Sequence, residues 1–387
     1  MIVFTSNFPE WFFTKGGPAP VFYYIGFIVF GATVLCLRAI KKETLISELS
    51  WQASRFIWFW LSIWIVWTIF NYFGSTQSEI ATDRLFQRLE MALVLAAFLF
   101  LNAAAATPQA MGNAMIFVTL LGVAVNFIDF VNPIFTRVPG RSAGMYLNPT
   151  ISGFILTLSA TVAVLFVPRR LRWAFLVLAA IGVFLTFARA AWILLFVSII
   201  ILFWQGHLGF YRQRVVLGLT AVLGVMAFGY AISSGWLAHL LVSSQFAQYF
   251  DDNTLARLGM VEFATDFSAR ERELVLFYGW EKYLEVGNPY LGYGLAFTHE
   301  WDFRVGTHNM YLMHLIEGGV IGLALYLGLI IWMIISRQGI ARLMAVNLAI
   351  YSLFSHNILD SPGRVFFIAL IAGTLLTAFP QDRQYDA

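Results

Sequence analysis

The stretch RFIWFWLSIWIVWTIFNYFG, residues 55–74, carries one charged side chain, Arg55, at its first position. A helix needs about 20 apolar residues to cross a bilayer, so this stretch predicts a membrane-spanning helix. Similar stretches extend over roughly 18–38, 85–106, 111–131, 150–167, 171–187, 189–204, 213–234, 309–335, 340–358 and 364–379. Composition agrees. Of 387 residues, 60% are hydrophobic and 12% charged, where soluble domains have roughly 45–50% and about 25%. A soluble globule has no interior large enough for that much apolar surface. Soluble enzyme, nucleic-acid binder and disordered chain are therefore excluded. The apolar runs are continuous rather than alternating, which argues against a membrane β-barrel. The fold class predicted is an all-α polytopic membrane bundle of about eleven or twelve transmembrane helices, forming one integral membrane domain over 1–387. Residues 2–13 are apolar and aromatic but too short to cross alone. They read as an interfacial helix or part of a twelfth span. The single cysteine, Cys36, excludes internal disulfides and thiolate clusters.

Basic residues in short loops orient such a bundle. Alternate loops hold Arg38, Lys41, Lys42 and Arg55, then Arg169, Arg170 and Arg172, then Arg212 and Arg214, then Arg337 and Arg342, then Arg383, and these predict the cytoplasmic side. Most acids fall on the other side. One loop, about 236–308, is far longer than the rest and lies on that outer side. A structureless loop of that length is unusual, so it predicts a partly helical segment folded over the membrane. Within it, RERELVLFYGWEKYLEV places Leu274, Phe277, Tyr278 and Leu284 near helical spacing. Gly287-Asn288-Pro289 stops that helix, and a glycine-rich turn region follows.

Three features stand out from the apolar background. The first is His308-Asn309 with Glu317, Gly318, Gly319 and Gly322 behind it. His308 stands where the loop meets the next span, and a neutral imidazole there can accept a proton. Asn309 suits a helix N-cap. Glu317 lies inside the predicted span, where an ionisable group is costly and points to function. His314, one turn from Glu317, is placed to pair with it. The bland alternatives are an interfacial histidine, glycines that only let helices pack, and a structural carboxylate.

The second feature is arginine on the outer side: Arg189 between two spans, Arg270 and Arg272 opening the amphipathic loop segment, and Arg304 just ahead of His308. Guanidinium binds phosphate oxygens bidentately and permanently, so arginines on separate elements suit a lipid pyrophosphate. Snorkelling to headgroups is the plain alternative. The third feature is acidic. Glu300-Trp301-Asp302 is a weak divalent-cation signal, and His356 with Asp360 is a weak pair. Neither leads to an assigned metal or cofactor.

The ordered combination resembles the O-antigen ligase and polymerase superfamily. The His308-Asn309 to Gly319 and Gly322 stretch directly after a long loop carries the resemblance. Arg189 with Ile193 resembles the family's Arg-x-x-x-Leu element. Arg270 leading to Pro289 and Gly292-Tyr293-Gly294 resembles its Arg…Pro-x-x-Gly-x-Gly run, with a spacing that leaves either Arg270 or Arg272 as the counterpart. The resemblance implies a GT-C-like glycosyltransferase of the bacterial inner membrane with a periplasmic site. It implies an undecaprenyl-pyrophosphate-linked glycan donor and a glycolipid acceptor, lipid A-core for a ligase or a lipid-linked repeat for a polymerase. His308 would be the catalytic base, with Arg189 and Arg270 or Arg272 on the pyrophosphate. Asn309, Glu317, Arg304 and His314 would support them. No cofactor, metal or nucleic acid is implied. Ligase is favoured over O-antigen or exopolysaccharide polymerase. A protein O-oligosaccharyltransferase comes further behind, as does a lipid-linked oligosaccharide flippase, for which no inverted repeat is seen.

Overall fold

A computed structural model describes residues 1–41, 48–104, 107–136, 141–208, 267–303 and 306–373. Among them every regular element is helical. In chain order the α-helices are α1 (Ile2–Thr5), α2 (Phe8–Thr14), α3 (Pro20–Ile40), α4 (Glu48–Phe73), α5 (Glu79–Ala104), α6 (Pro108–Val131), α7 (Pro149–Ala163), α8 (Arg172–Phe184) and α9 (Arg189–Trp204). Within the long loop come α10 (Phe267–Glu285) and α11 (Phe297–Glu300), and after it α12 (Met310–Ser336), α13 (Gly339–Tyr351) and α14 (Pro362–Ala372). Five of these are long and apolar enough to cross a bilayer: α3, α4, α5, α6 and α12. Shorter apolar helices are α7, α9, α13 and α14. The predicted span 213–234, the loop stretch 236–266 and Arg304 lie outside the described residues.

Residues 2–13 form two short helices rather than one long one. Asn7 breaks them in a left-handed conformation, φ 58°, and its Nδ2 donates to the Met145 carbonyl at 3.0 Å. Pro9 sits in the first turn of α2, where its missing N–H costs nothing. α1 packs against α6 and α14.

Helices α7 and α14 lie at the centre. Every residue of α14 is buried, and so is nearly all of α7. The α7 sequence explains its place. Ser152, Gly153, Ser159 and Ala160 are small enough for close helix approach, the usual device inside membranes. Its hydroxyls are satisfied locally, with Thr157 and Thr161 donating to carbonyls four residues back. Between helices, Ser152 donates to Asn126 of α6 at 3.0 Å, and Asn347 of α13 donates to Ser198 of α9 at 2.6 Å. The rim is the reverse. Phe22, Val29, Phe30 and Leu37 of α3 are all more than half exposed, a surface only lipid tolerates.

Candidate functional site

Helix α12 is broken in its second turn-pair by the residue that the sequence suggested for packing alone. Gly319 takes φ 58°, ψ −157°, outside the range of residues with a Cβ. The break opens the helical bonds that would join Ile316 to Val320 and Glu317 to Ile321. Unsatisfied backbone groups inside a bilayer are very costly, and the glycine-rich loop supplies all four partners. Tyr293 N and Gly294 N donate to the Ile316 and Glu317 carbonyls, both at 2.9 Å, while Val320 N and Ile321 N donate to the Pro289 and Tyr290 carbonyls at 2.9 and 3.3 Å. The loop is thus spliced into the helix by its main chain. Gly318 behaves as the packing glycine expected, with Trp67 of α4 against it.

Such a splice requires bare backbone on both sides. At Gly292 (φ +72°), a Cβ would lie 2.5 Å from the Ile316 carbonyl oxygen and 2.6 Å from Gly319 N. Gly292→Ala is therefore expected to destabilise the protein by at least about 1–3 kcal/mol from backbone strain, with the clash in addition. Thermal unfolding measures the loss, and faster proteolysis within 287–300 locates it. A wild-type melting temperature would show that the loop is not wedged here.

The break also sets Glu317. Its carboxylate is 1% exposed and accepts from Arg88 of α5 at 2.8 Å. Its other oxygen accepts from Thr298 Oγ1 of α11 at 2.6 Å, and His299 Nδ1 stands 3.7 Å away. Arg88 Nε also lies 4.0 Å from Asp360. One buried carboxylate therefore joins α5, α11 and α12. The pairing expected with His314 is not made. His314 is buried between the Trp64 ring at 5.2 Å and the Tyr326 ring at 4.8 Å, while Arg88 reaches Glu317 from outside the helix. Glu300 is likewise engaged. Its carboxylate accepts from Thr76 at 2.9 Å and from Ser78, which ties the loop to the α4–α5 turn and leaves the acid-x-acid pair divided. His356 and Asp360 do not pair with each other either. His356 Nδ1 accepts from the backbone N–H of His308 at 3.1 Å, and Asp360 faces Arg88.

His308 stands two residues ahead of α12, half-buried and in a left-handed conformation, φ 48°. Asn309 is the N-cap, its side-chain oxygen accepting from Leu312 N at 3.0 Å, as its residue type predicted. Met310 N donates to the Ser352 carbonyl at 2.8 Å and fixes the helix start against the end of α13. Arg189 is the first residue of α9 and is half-buried. Arg272 lies on α10, its guanidinium 6.0 Å from the Phe354 ring centre. The positive charge of Arg272 acts on both Arg189 and His308. Arg189, Arg272 and His308, on three separate elements, are thus coupled through the charge of Arg272. Arg270 does not join them. Residues two apart on a helix point to different faces, and Arg270 is exposed. Burial, and then the Arg272 charge, hold the His308 imidazole below its ordinary pKa, with Glu271 acting in the opposite sense.

Arg88, Thr298, His299 and the role of His356 were not singled out by sequence reasoning. A signal for Arg88 exists: it lies inside the predicted span 85–106, whose other charged residue is Glu90, and intramembrane charges mark function or a buried partner.

The fold is that of a polytopic all-α membrane protein. Residues 174–327, from α8 into α12, match the family described as O-antigen ligase. Over that stretch the chain is similar to the O-antigen ligase family. No curated protein matches the chain. Arg189, Arg272, His308 and Glu317 lie within the matched stretch; Arg88, His356 and Asp360 lie outside it.

Proposed function

We propose that this protein transfers a glycan from undecaprenyl pyrophosphate to a sugar hydroxyl at the periplasmic face of the bacterial inner membrane, acting as an O-antigen ligase on lipid A-core. The whole chain forms one catalytic membrane domain, and the loop 236–308 covers its site. The observation that carries this reading is the coupling of Arg189, Arg272 and His308. Pyrophosphate is a good leaving group whose departure needs charge stabilisation more than protonation. Two guanidinium groups supply it in place of a divalent cation. The acceptor hydroxyl needs a base, and His308 is held neutral and so able to take its proton. The acceptor oxygen then bonds to the anomeric carbon as the carbon–oxygen bond to pyrophosphate breaks. The electron pair leaves with the pyrophosphate, and one displacement inverts the anomeric centre. Glu317 and Asn309 hold the loop and the helix start that carry His308.

The test uses purified protein, a lipid-pyrophosphate glycan and two acceptors in parallel. Release of undecaprenyl pyrophosphate with lipid A-core supports the ligase. Release only with a second lipid-linked repeat makes the protein a polymerase built on the same site. Release with neither acceptor overturns the transferase reading and turns attention to lipid-linked oligosaccharide transport.

The arginine roles carry their own expectation. A charge-assisted hydrogen bond contributes about 1.5–3 kcal/mol, so Arg189→Ala and Arg272→Gln should each weaken donor binding by about 10- to 100-fold. Arg272→Gln has a second effect. Its positive charge disfavours the imidazolium of His308, so removing it lets His308 protonate at higher pH. The acidic limb of kcat at saturating donor then moves up toward the ordinary imidazole value of about 6.5. An unmoved limb would separate Arg272 from the base, and unchanged donor affinity in both variants would reduce the arginines to headgroup contacts.

A further inference from the structure

His308 holds a backbone conformation, φ 48°, that a residue with a Cβ adopts only when its surroundings impose it. The imposing group is His356, in the loop between α13 and α14. Its Nδ1 accepts the His308 backbone N–H at 3.1 Å, and the two rings meet edge to face with centres 5.3 Å apart. Gly306 closes the other side, where a Cβ would come within 2.7 Å of the His356 ring. An Nδ1 that accepts a hydrogen bond carries no hydrogen, so the His356 ring is neutral and bears its hydrogen on Nε2. Its surroundings favour that state. Burial first, then the charges of His308, His299, Arg364 and Arg84, push its pKa down to about 3. The ring stays an acceptor throughout the pH range in which an imidazole base works.

We propose that His356 is a positioning residue: its neutral Nδ1 pins the main chain of His308 at the entrance to α12 and so aims the His308 ring at the acceptor hydroxyl. The inference rests on His308 being the base. It assigns His356 a main-chain acceptor role distinct from any pairing with Asp360. It also explains why a catalytic side chain on a loop is held as firmly as one on a helix, the condition for efficient proton transfer.

The experiment compares His356→Ala with His356→Asn in the full-length protein, each checked by thermal unfolding. Asparagine keeps an acceptor oxygen near the position of Nδ1; alanine removes it. His356→Ala should lower kcat by about 100-fold, the usual cost of a misplacement near 1 Å, with donor affinity unchanged. His356→Asn should recover most of that loss. Hydrogen–deuterium exchange of the 306–309 peptide reads the pin without reference to activity: the His308 amide should exchange faster in His356→Ala and remain protected in His356→Asn. Protection unaltered in His356→Ala overturns the pin. Equal loss of kcat in both variants overturns the acceptor role. Wild-type turnover in His308→Ala removes the base reading alone, since the exchange result still decides whether His356 holds this backbone.

Discussion

Replacing His308 by alanine is expected to lower glycan transfer by roughly 10²- to 10⁴-fold, the contribution of a well-placed general base. The loss should fall on kcat. The donor's pyrophosphate is assigned to Arg189 and Arg272, which the substitution leaves in place, so donor affinity should stay near that of the parent protein. Folding should also survive. The His308 ring is half-buried and its ring contact in the described structure is with His356, while the bond from its backbone N–H to His356 does not depend on the side chain. Steady-state release of undecaprenyl pyrophosphate, with donor binding measured separately, checks both halves of this expectation. Turnover at the parent rate would remove His308 as the base. A parallel collapse of donor binding would make it a binding residue instead.

Glu317→Ala is expected to be the most damaging single change to stability. The pair it breaks is nearly inaccessible, 5% and 1% exposed at Arg88 and Glu317. Removing one partner of a buried ion pair leaves the other as an uncompensated charge and costs about 3–5 kcal/mol. Thr298 loses its acceptor at the same stroke, so the glycine-rich loop should loosen with the helix. The double variant Arg88→Met, Glu317→Leu should be less damaged than Glu317→Ala, because both charges of the close pair go together and only Asp360 loses its more distant 4.0 Å partner. Thermal unfolding of the three proteins checks this. A loss under about 1 kcal/mol in Glu317→Ala, the scale of a solvated surface pair, would show that the site is wet and the pair incidental.

The two expectations differ in how far sequence supported them. The helix start at His308-Asn309 is local chemistry. Asparagine followed by an apolar run is a cap, and the structure places the Asn309 side chain on the Leu312 N–H. The spans are equally local, since apolar length decides them, and each predicted span within the described residues contains a helix, although 340–358 leaves the helix after Tyr351. The N-terminal segment was open between an interfacial helix and part of a twelfth span, and Asn7 with Pro9 divides it into two short helices. Glu317 was visible as a charge in an apolar run, but its partner was not. Proximity along the helix suggested His314, whereas the carboxylate turns to Arg88, 229 positions away in the chain.

What the sequence determined by itself is whatever depends on neighbours in the chain: apolar helices of a membrane bundle, a histidine just ahead of an asparagine-capped helix and a carboxylate inside an apolar run. The tertiary structure decided which of these meet. It half-buried Arg272 and left Arg270 exposed, because the face that α10 turns toward α12 is set by packing and not by the order of residues. It turned Gly319 from a packing residue into a break, because only folding brings Pro289–Gly294 near enough to satisfy the four backbone groups that the break exposes. It placed His356 beneath His308, 48 positions earlier. Contacts across such distances leave no period or spacing in a single sequence, since each partner satisfies its local pattern whether or not the other is present.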